Sequence, residues 1–326
     1  MSSVTPHRSD NDEPQPYLVI STHDAGISTL AYLPDGRRVV SGAYDGTVRV
    51  WKLEDGKQEG TSMKHASYIC GLAVTRDGTK IICSDDDGSI KVWDVESHEI
   101  VKEWTHPKQY PNIAISPDDR LIAAGGETVA FYTMEGIRVN HSIEVDSYVQ
   151  SLCFSPNGKK FACRTSDEIR VYDVDSGTLL SACQQKWVDC VLWSRDCSRL
   201  FSASNYHTIC CWNSDTGEQI GHPWAGHTDA IQSLSLSLDG SILASASKDK
   251  TVCFWEATTG HPIGQHLQHD KRVHTVLFSP SGEFVVSGGW DAKIFFWRVP
   301  WLNSVENRVR VLIRSTSVSI LISLSV

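Results

Sequence analysis

Apolar and polar residues alternate along short stretches of this chain, and the alternation restarts about every 41 residues. The clearest copy opens at His23. Ile27, Leu30 and Tyr32 mark a half-buried strand, because side chains of an extended chain point to opposite faces in turn. Pro34-Asp35-Gly36 is a turn signal. Val39 and Val40 begin a second strand that runs to Gly42. Asp45-Gly46 then predicts a tight hairpin turn, since both residue types tolerate positive φ. Val48 to Trp51 form a third strand, Asp55-Gly56 turns the chain again, and a weaker fourth strand follows.

An aromatic residue closes the third strand of each copy: Trp51, Trp93, Tyr132, Tyr172, Trp212, Trp255 and Trp297, spaced 39 to 43 residues apart. A fixed period of this length means one supersecondary unit repeated in series. Four short strands with no helical periodicity cannot bury both faces of their sheet alone. Radial stacking of seven such sheets does, so an all-β, seven-bladed β-propeller is expected.

The motif positions repeat along with the spacing. Asp45-Gly46-Thr47 precedes Trp51, Asp87-Gly88-Ser89 precedes Trp93-Asp94, and Asp249-Lys250-Thr251 precedes Trp255; Gly226-His227 opens that last repeat, and Ser279-Pro280-Ser281-Gly282 is a further turn of the same kind. On these residues the chain resembles the WD-repeat β-propeller family over residues 16–299. Three repeats depart from the pattern, with Gly126, Ser166 and Tyr206 where the turn aspartate would stand. Their strand alternation persists, as in Ile113, Ile115 and Ser116-Pro117-Asp118, so they count as blades.

After Trp297 no turn signal opens a fourth strand for the last blade. Tyr17-Leu18-Val19-Ile20 stands unassigned before the first repeat. The resemblance implies that this segment completes the seventh blade and covers its edge. Residues 1–15 read as a disordered tail. Residues 300–326 read as a loosely ordered one, in which Val309, Val311, Leu312 and Ile313 compete as a strand.

Charge then narrows the function. The net charge of −9 argues against non-specific nucleic-acid binding, which needs a basic surface. No apolar run near the start suggests a signal peptide, and none is long enough to span a membrane as a helix. A cytoplasmic or nuclear compartment is expected. The ten cysteines show no Cys-x-x-Cys pair, and Cys153, Cys163, Cys190 and Cys253 sit in apolar runs, where a thiol packs as a small hydrophobe.

Four repeats bring together His, Ser or Cys, Asp and Trp: His23, Ser41, Asp45, Trp51; His65, Cys83, Asp87, Trp93; His227, Ser245, Asp249, Trp255; His269, Ser287, Asp291, Trp297. A hydrolase triad needs one such set rather than four at a fixed period. The resemblance implies instead a hydrogen-bond chain inside each blade: indole to hydroxyl, hydroxyl to histidine, histidine to aspartate. Cys83 should weaken the chain of the second blade. His261, His266 and His269 could suggest a metal, but His269 is already assigned. Vicinal Cys210-Cys211 point to opposite faces of a strand. No metal, cofactor or catalytic residue is expected.

The resemblance also implies a binding face around the channel. Its positions are the residue before each turn aspartate and the two that flank the first apolar residue of the opening strand. They include Tyr44, Tyr68, Asp86, Tyr148, Asp189, Trp187, Lys248, Arg272, His274 and Trp290, with Thr165 assigned in the fourth blade. Exposed aromatics and arginine mark protein-binding hot spots. The expected function is a non-catalytic scaffold or adaptor, monomeric alone, that binds a protein or peptide. Alternatives are a ubiquitin-ligase substrate receptor, weakened because Trp93-Asp94-Val95-Glu96 lacks the arginine that role favours, and an enzyme on a propeller frame.

Overall fold

The computed structural model describes residues 14–107, 111–126, 128–145, 149 and 151–298. The candidate Tyr148, residues 1–13 and the segment from 299 to 326 lie outside them, so the expectations about both tails fall mostly there.

All regular structure among the described residues is strand. The strands form seven four-stranded antiparallel sheets. The first blade shows the local logic. Ile27–Tyr32, Arg38–Ala43, Thr47–Lys52 and Gln58–Lys64 pair in chain order. Gly46 takes φ +75° in the turn between the second and third strands, and a Cβ there would lie 2.9 Å from the Ser67 carbonyl oxygen. Lys250 and Ala292 occupy the matching turns at φ 74° and 58°. The turn therefore imposes a left-handed residue even where glycine is missing.

The ring closes as a clasp. Strand Leu18–Ser21 pairs antiparallel with Lys293–Arg298, with Leu18 opposite Phe296 and Ser21 opposite Lys293. The seventh blade is thus three strands from one end of the propeller and one strand from the other. Ile20 packs there with Ile27, Val39 and Trp51 of the first blade and with Val286, Ile294 and Phe296 of the seventh. Every other pair of consecutive blades shares a comparable apolar cluster. The closing seam is therefore sealed by the same burial as the rest, worth about 1.5–3 kcal/mol for each large aliphatic side chain.

All ten cysteines are free thiols. Burial pushes Cys190 and Cys210 up to about 11, which keeps them protonated. No helix among the described residues is long and apolar enough to cross a membrane.

Candidate protein-binding face and the blade hydrogen-bond chains

In the sixth blade the polar chain is continuous. The Trp255 indole N–H donates to Ser245 Oγ at 2.8 Å, Ser245 Oγ meets His227 Nε2 at 2.7 Å, and His227 Nδ1 meets Asp249 Oδ2 at 2.7 Å. Asp249 also accepts the backbone N–H groups of Thr228 and Thr251. Burial disfavours the charged imidazole, but the bond to Asp249, the Cys253 neighbour and the carboxylate charge raise His227 to about 9. Burial opposes the Asp249 charge too, and the bonds from His227 and Thr251 more than offset it, so its pKa is lowered. The first blade repeats the chain through Trp51, Ser41, His23 and Asp45 at 2.8, 2.7 and 2.9 Å. There burial, helped by Arg49, lowers the His23 pKa in spite of Asp45.

The other two sets differ from expectation. In the second blade His65 Nδ1 meets Asp85, at 3.1 Å, and Asp87 is exposed. Three consecutive aspartates made the assignment to Asp87 wrong: Asp85 ends the second strand and points inward, where it also accepts the Ser89 N–H. His65 Nε2 reaches Cys83 Sγ at 3.0 Å, and the buried Trp93 indole N–H has only that thiol sulfur to meet, at less than full hydrogen-bond geometry. A thiol is a poor acceptor, and the chain stops there. In the seventh blade Trp297 bonds Ser287 at 2.8 Å and Ser287 meets His269 at 3.0 Å. Among the described residues His269 makes no bond to Asp291, which accepts the Lys293 N–H instead. Burial then pushes His269 down to about 4.

The fifth blade holds a chain that the sequence reading missed. The Trp212 indole N–H bonds Ser202 Oγ at 2.7 Å, and Ser202 in turn donates to Gln185. The signal was available, because Ser202 stands ten residues before Trp212, as Ser41 does before Trp51. Ser41, Ser202, Ser245 and Ser287 are all fully buried, so these hydroxyls serve the blade interior. Of the three histidines that suggested a metal, His261 and His266 are exposed and His269 is buried on Ser287. No group of three or more metal-ligating side chains is gathered among the described residues.

One backbone hydrogen bond places the face residues. The residue that follows each second strand donates its N–H to the carbonyl just before the first strand: Tyr44 to Gly26, Asp86 to Tyr68, Asn205 to Trp187, Lys248 to Ala230 and Trp290 to Arg272, at 2.9–3.1 Å. In the fourth blade Arg164, the last residue of the second strand, bonds the Ser151 carbonyl, and Thr165, the residue that follows the strand, donates its N–H to the Glu168 carbonyl instead. At the seventh blade the two segments approach so closely that a Cβ on Gly289 would stand 2.0 Å from the Arg272 carbonyl oxygen.

Four of the aromatic candidates meet across the closing seam. Tyr44 stacks on Trp290 with ring centroids 5.7 Å apart, and it lies 5.7 Å from Tyr68 and 5.9 Å from His274. His274 lies 5.7 Å from Trp290. Tyr44 is 38% exposed and Trp290 53%, so the cluster is open to solvent. Burial, reinforced by the charges of Lys248 and Arg272, pushes His274 down to about 4, so its ring is neutral at pH 7. Trp187 lies apart, in the fifth blade, 55% exposed. Beside it Asp189 accepts from Gln232 at 2.9 Å and Asn205 at 3.3 Å, and burial raises its pKa against the charges of Arg164 and Lys248. Tyr206, 65% exposed on the fifth-blade turn, was not among the candidates.

Residues 14–52, 56–94, 218–256 and 260–298 each match the family "WD domain, G-beta repeat", and residues 113–196 match "Anaphase-promoting complex subunit 4 WD40 domain". The chain belongs to the WD-repeat β-propeller family. The repeat matches fall on the first, second, sixth and seventh blades, the four that carry the His/Asp/Trp pattern. This WD-repeat chain is similar to the small ribosomal subunit protein RACK1y of Oryza sativa subsp. japonica, at 25% identity over 60% of the chain and 52% of the relative. It is similar to the transcription factor unc-37 of Caenorhabditis elegans, at 27% over 56% of the chain and 31% of the relative. Telomerase protein component 1 of Mus musculus shares 24% over 83% of the chain and 10% of its own length. The chain thus spans about half or less of these relatives.

Proposed function

We propose that this propeller is a non-catalytic interaction scaffold that binds a protein or peptide on the face carrying Tyr44, Tyr68, His274 and Trp290. The observation that supports this reading most is the open aromatic cluster at the closing seam. Nothing in the blade core benefits from the exposed parts of these rings. Burial of Trp290 and Tyr44 under a partner would contribute about 1.5–3 kcal/mol each. The named relatives include a ribosomal subunit protein and a transcription factor, two unrelated settings for one fold, so the partner has to be argued from the site and not from the propeller. Where the first strands of the blades end, a cleft of about 640 Å³ is lined by Phe154, Leu192, Leu236 and Leu277 among others, and its described rings, Phe154 and Trp193, are buried.

Affinity capture from native cell extract, run beside a thermal melt, tests the reading. Trp290→Ala and Tyr44→Ala should each lose partner recovery with an unchanged melt. Full recovery with both variants removes this face from consideration.

A further inference from the structure

The aromatic cluster lies between two patches of opposite charge. On the side of the second blade, the backbone N–H of Asp86 is bonded to the Tyr68 carbonyl, so the carboxylate starts next to that ring. Asp86 Oδ1 is buried with no hydrogen-bond partner, and Asp87 beyond it is exposed. Neither makes an ion pair among the described residues. An unpaired carboxylate oxygen kept from water is costly unless a partner satisfies it.

On the side of the sixth and seventh blades, Lys248, Lys250, Lys271 and Arg272 crowd two turns of the same face. None of the four makes an ion pair among the described residues. Lys248 and Arg272 act directly on His274, whose pKa they help to lower. Of the acidic residues nearby, Asp189 feels the charge of Lys248 while bonded to Gln232 and Asn205, and three others are committed elsewhere. Asp249 is bound to His227 and Thr251, Asp291 caps its own turn, and Asp229 accepts the Ala230 N–H. On a chain of net charge −9, four cations without an ion pair among the described residues, beside an exposed tryptophan, are a local exception.

We infer that the face is electrically polarised and reads the direction of its ligand: a partner peptide with an apolar or aromatic anchor, a basic residue on one side of it and an acidic residue on the other. The anchor covers Tyr44 and Trp290. The basic residue meets Asp86 and Asp87, and the acidic residue meets Arg272 and Lys248. Opposite charges at the two ends favour one peptide orientation and penalise the reverse, which sets like charges together. This inference rests on the proposed binding face and adds to it the chemistry of the partner.

The test is selection of a phage-displayed random peptide library on the intact protein, followed by fluorescence polarisation of the enriched peptides. Enriched sequences should share an apolar anchor flanked by opposite charges in one fixed order. Arg272→Glu and Asp86→Lys should each weaken such a peptide at least tenfold, and exchanging the peptide's own flanking charge should restore binding to the matching variant. Peptides that need Trp290 but show no charge order overturn the polarity and leave the face standing. Peptides that bind Trp290→Ala as well as wild type, or no enrichment at all, overturn both.

Discussion

The sixth and seventh blades carry the same four residue types at the same spacing, yet only the sixth links all four. His227 bonds Asp249 at 2.7 Å and is raised to about 9, whereas His269 lacks the aspartate and is pushed down to about 4. The sixth blade is also continuous in sequence, from Ile231 to Gln268. The seventh borrows its outer strand from Leu18–Ser21. One blade is pinned by a charged polar chain, the other by apolar packing and a clasp. The pattern of residue types is thus not enough to fix a network; one carboxylate has to be aimed at one ring nitrogen.

The largest effect should come from opening the clasp. Deletion of residues 1–21 uncovers Ile294 and Phe296 and leaves an unpaired strand edge. The variant should aggregate or melt far below the full chain, read by size exclusion and calorimetry, and an unchanged melt would show that the seventh blade stands without its borrowed strand.

Next in size is the aspartate contrast. Asp249→Ala should cost about 2–4 kcal/mol in urea denaturation, because it strands His227 and two backbone N–H groups, and Asp291→Ala under about 1 kcal/mol. Equal losses would contradict the difference between the two networks. The histidines should also respond to pH with opposite signs. His227 titrates higher in the folded state than its usual 6.5, so its contribution is full below that value and is lost as pH rises through about 9. His269 titrates lower, so its contribution is full above 6.5 and is lost as pH falls toward about 4. Imidazole NMR titration of the two rings checks this, and a shared midpoint would remove the distinction.

The smallest effect concerns the second blade. Cys83→Ser should give the Trp93 indole a stronger acceptor than the thiol and raise stability by about 0.5–1.5 kcal/mol. A loss of stability would mean that the thiol's packing outweighs the missing bond.

The fold was legible because its signals are local and periodic. Asp45-Gly46, Trp51 and their copies mark turns and strand ends without any tertiary knowledge, and even the borrowed strand stood out as an unassigned apolar run. The polar chains were legible only in part. The run Asp85-Asp86-Asp87 offers three carboxylates to one histidine, and only the pleat of the second strand decides that Asp85 points inward. His269 and Asp291 satisfy the pattern, but their orientation depends on packing that spacing does not encode. The residues before the turn aspartates follow from the turns alone, while the meeting of Tyr44 with His274 and Trp290 depends on ring closure, which brings residues some 240 positions apart into contact.

A partner seated on the cluster at the seam would cover position 290. Photo-crosslinking inside the native cell tests this most directly, with benzoylphenylalanine placed at position 290 and, as the contrast, at position 17. Tyr17 is 64% exposed and lies against Phe284, at the other end of the strand that leads to Trp290. A discrete crosslinked protein adduct is expected from position 290 and none from position 17. An adduct from position 17 with none from 290 would contradict that placement of the partner.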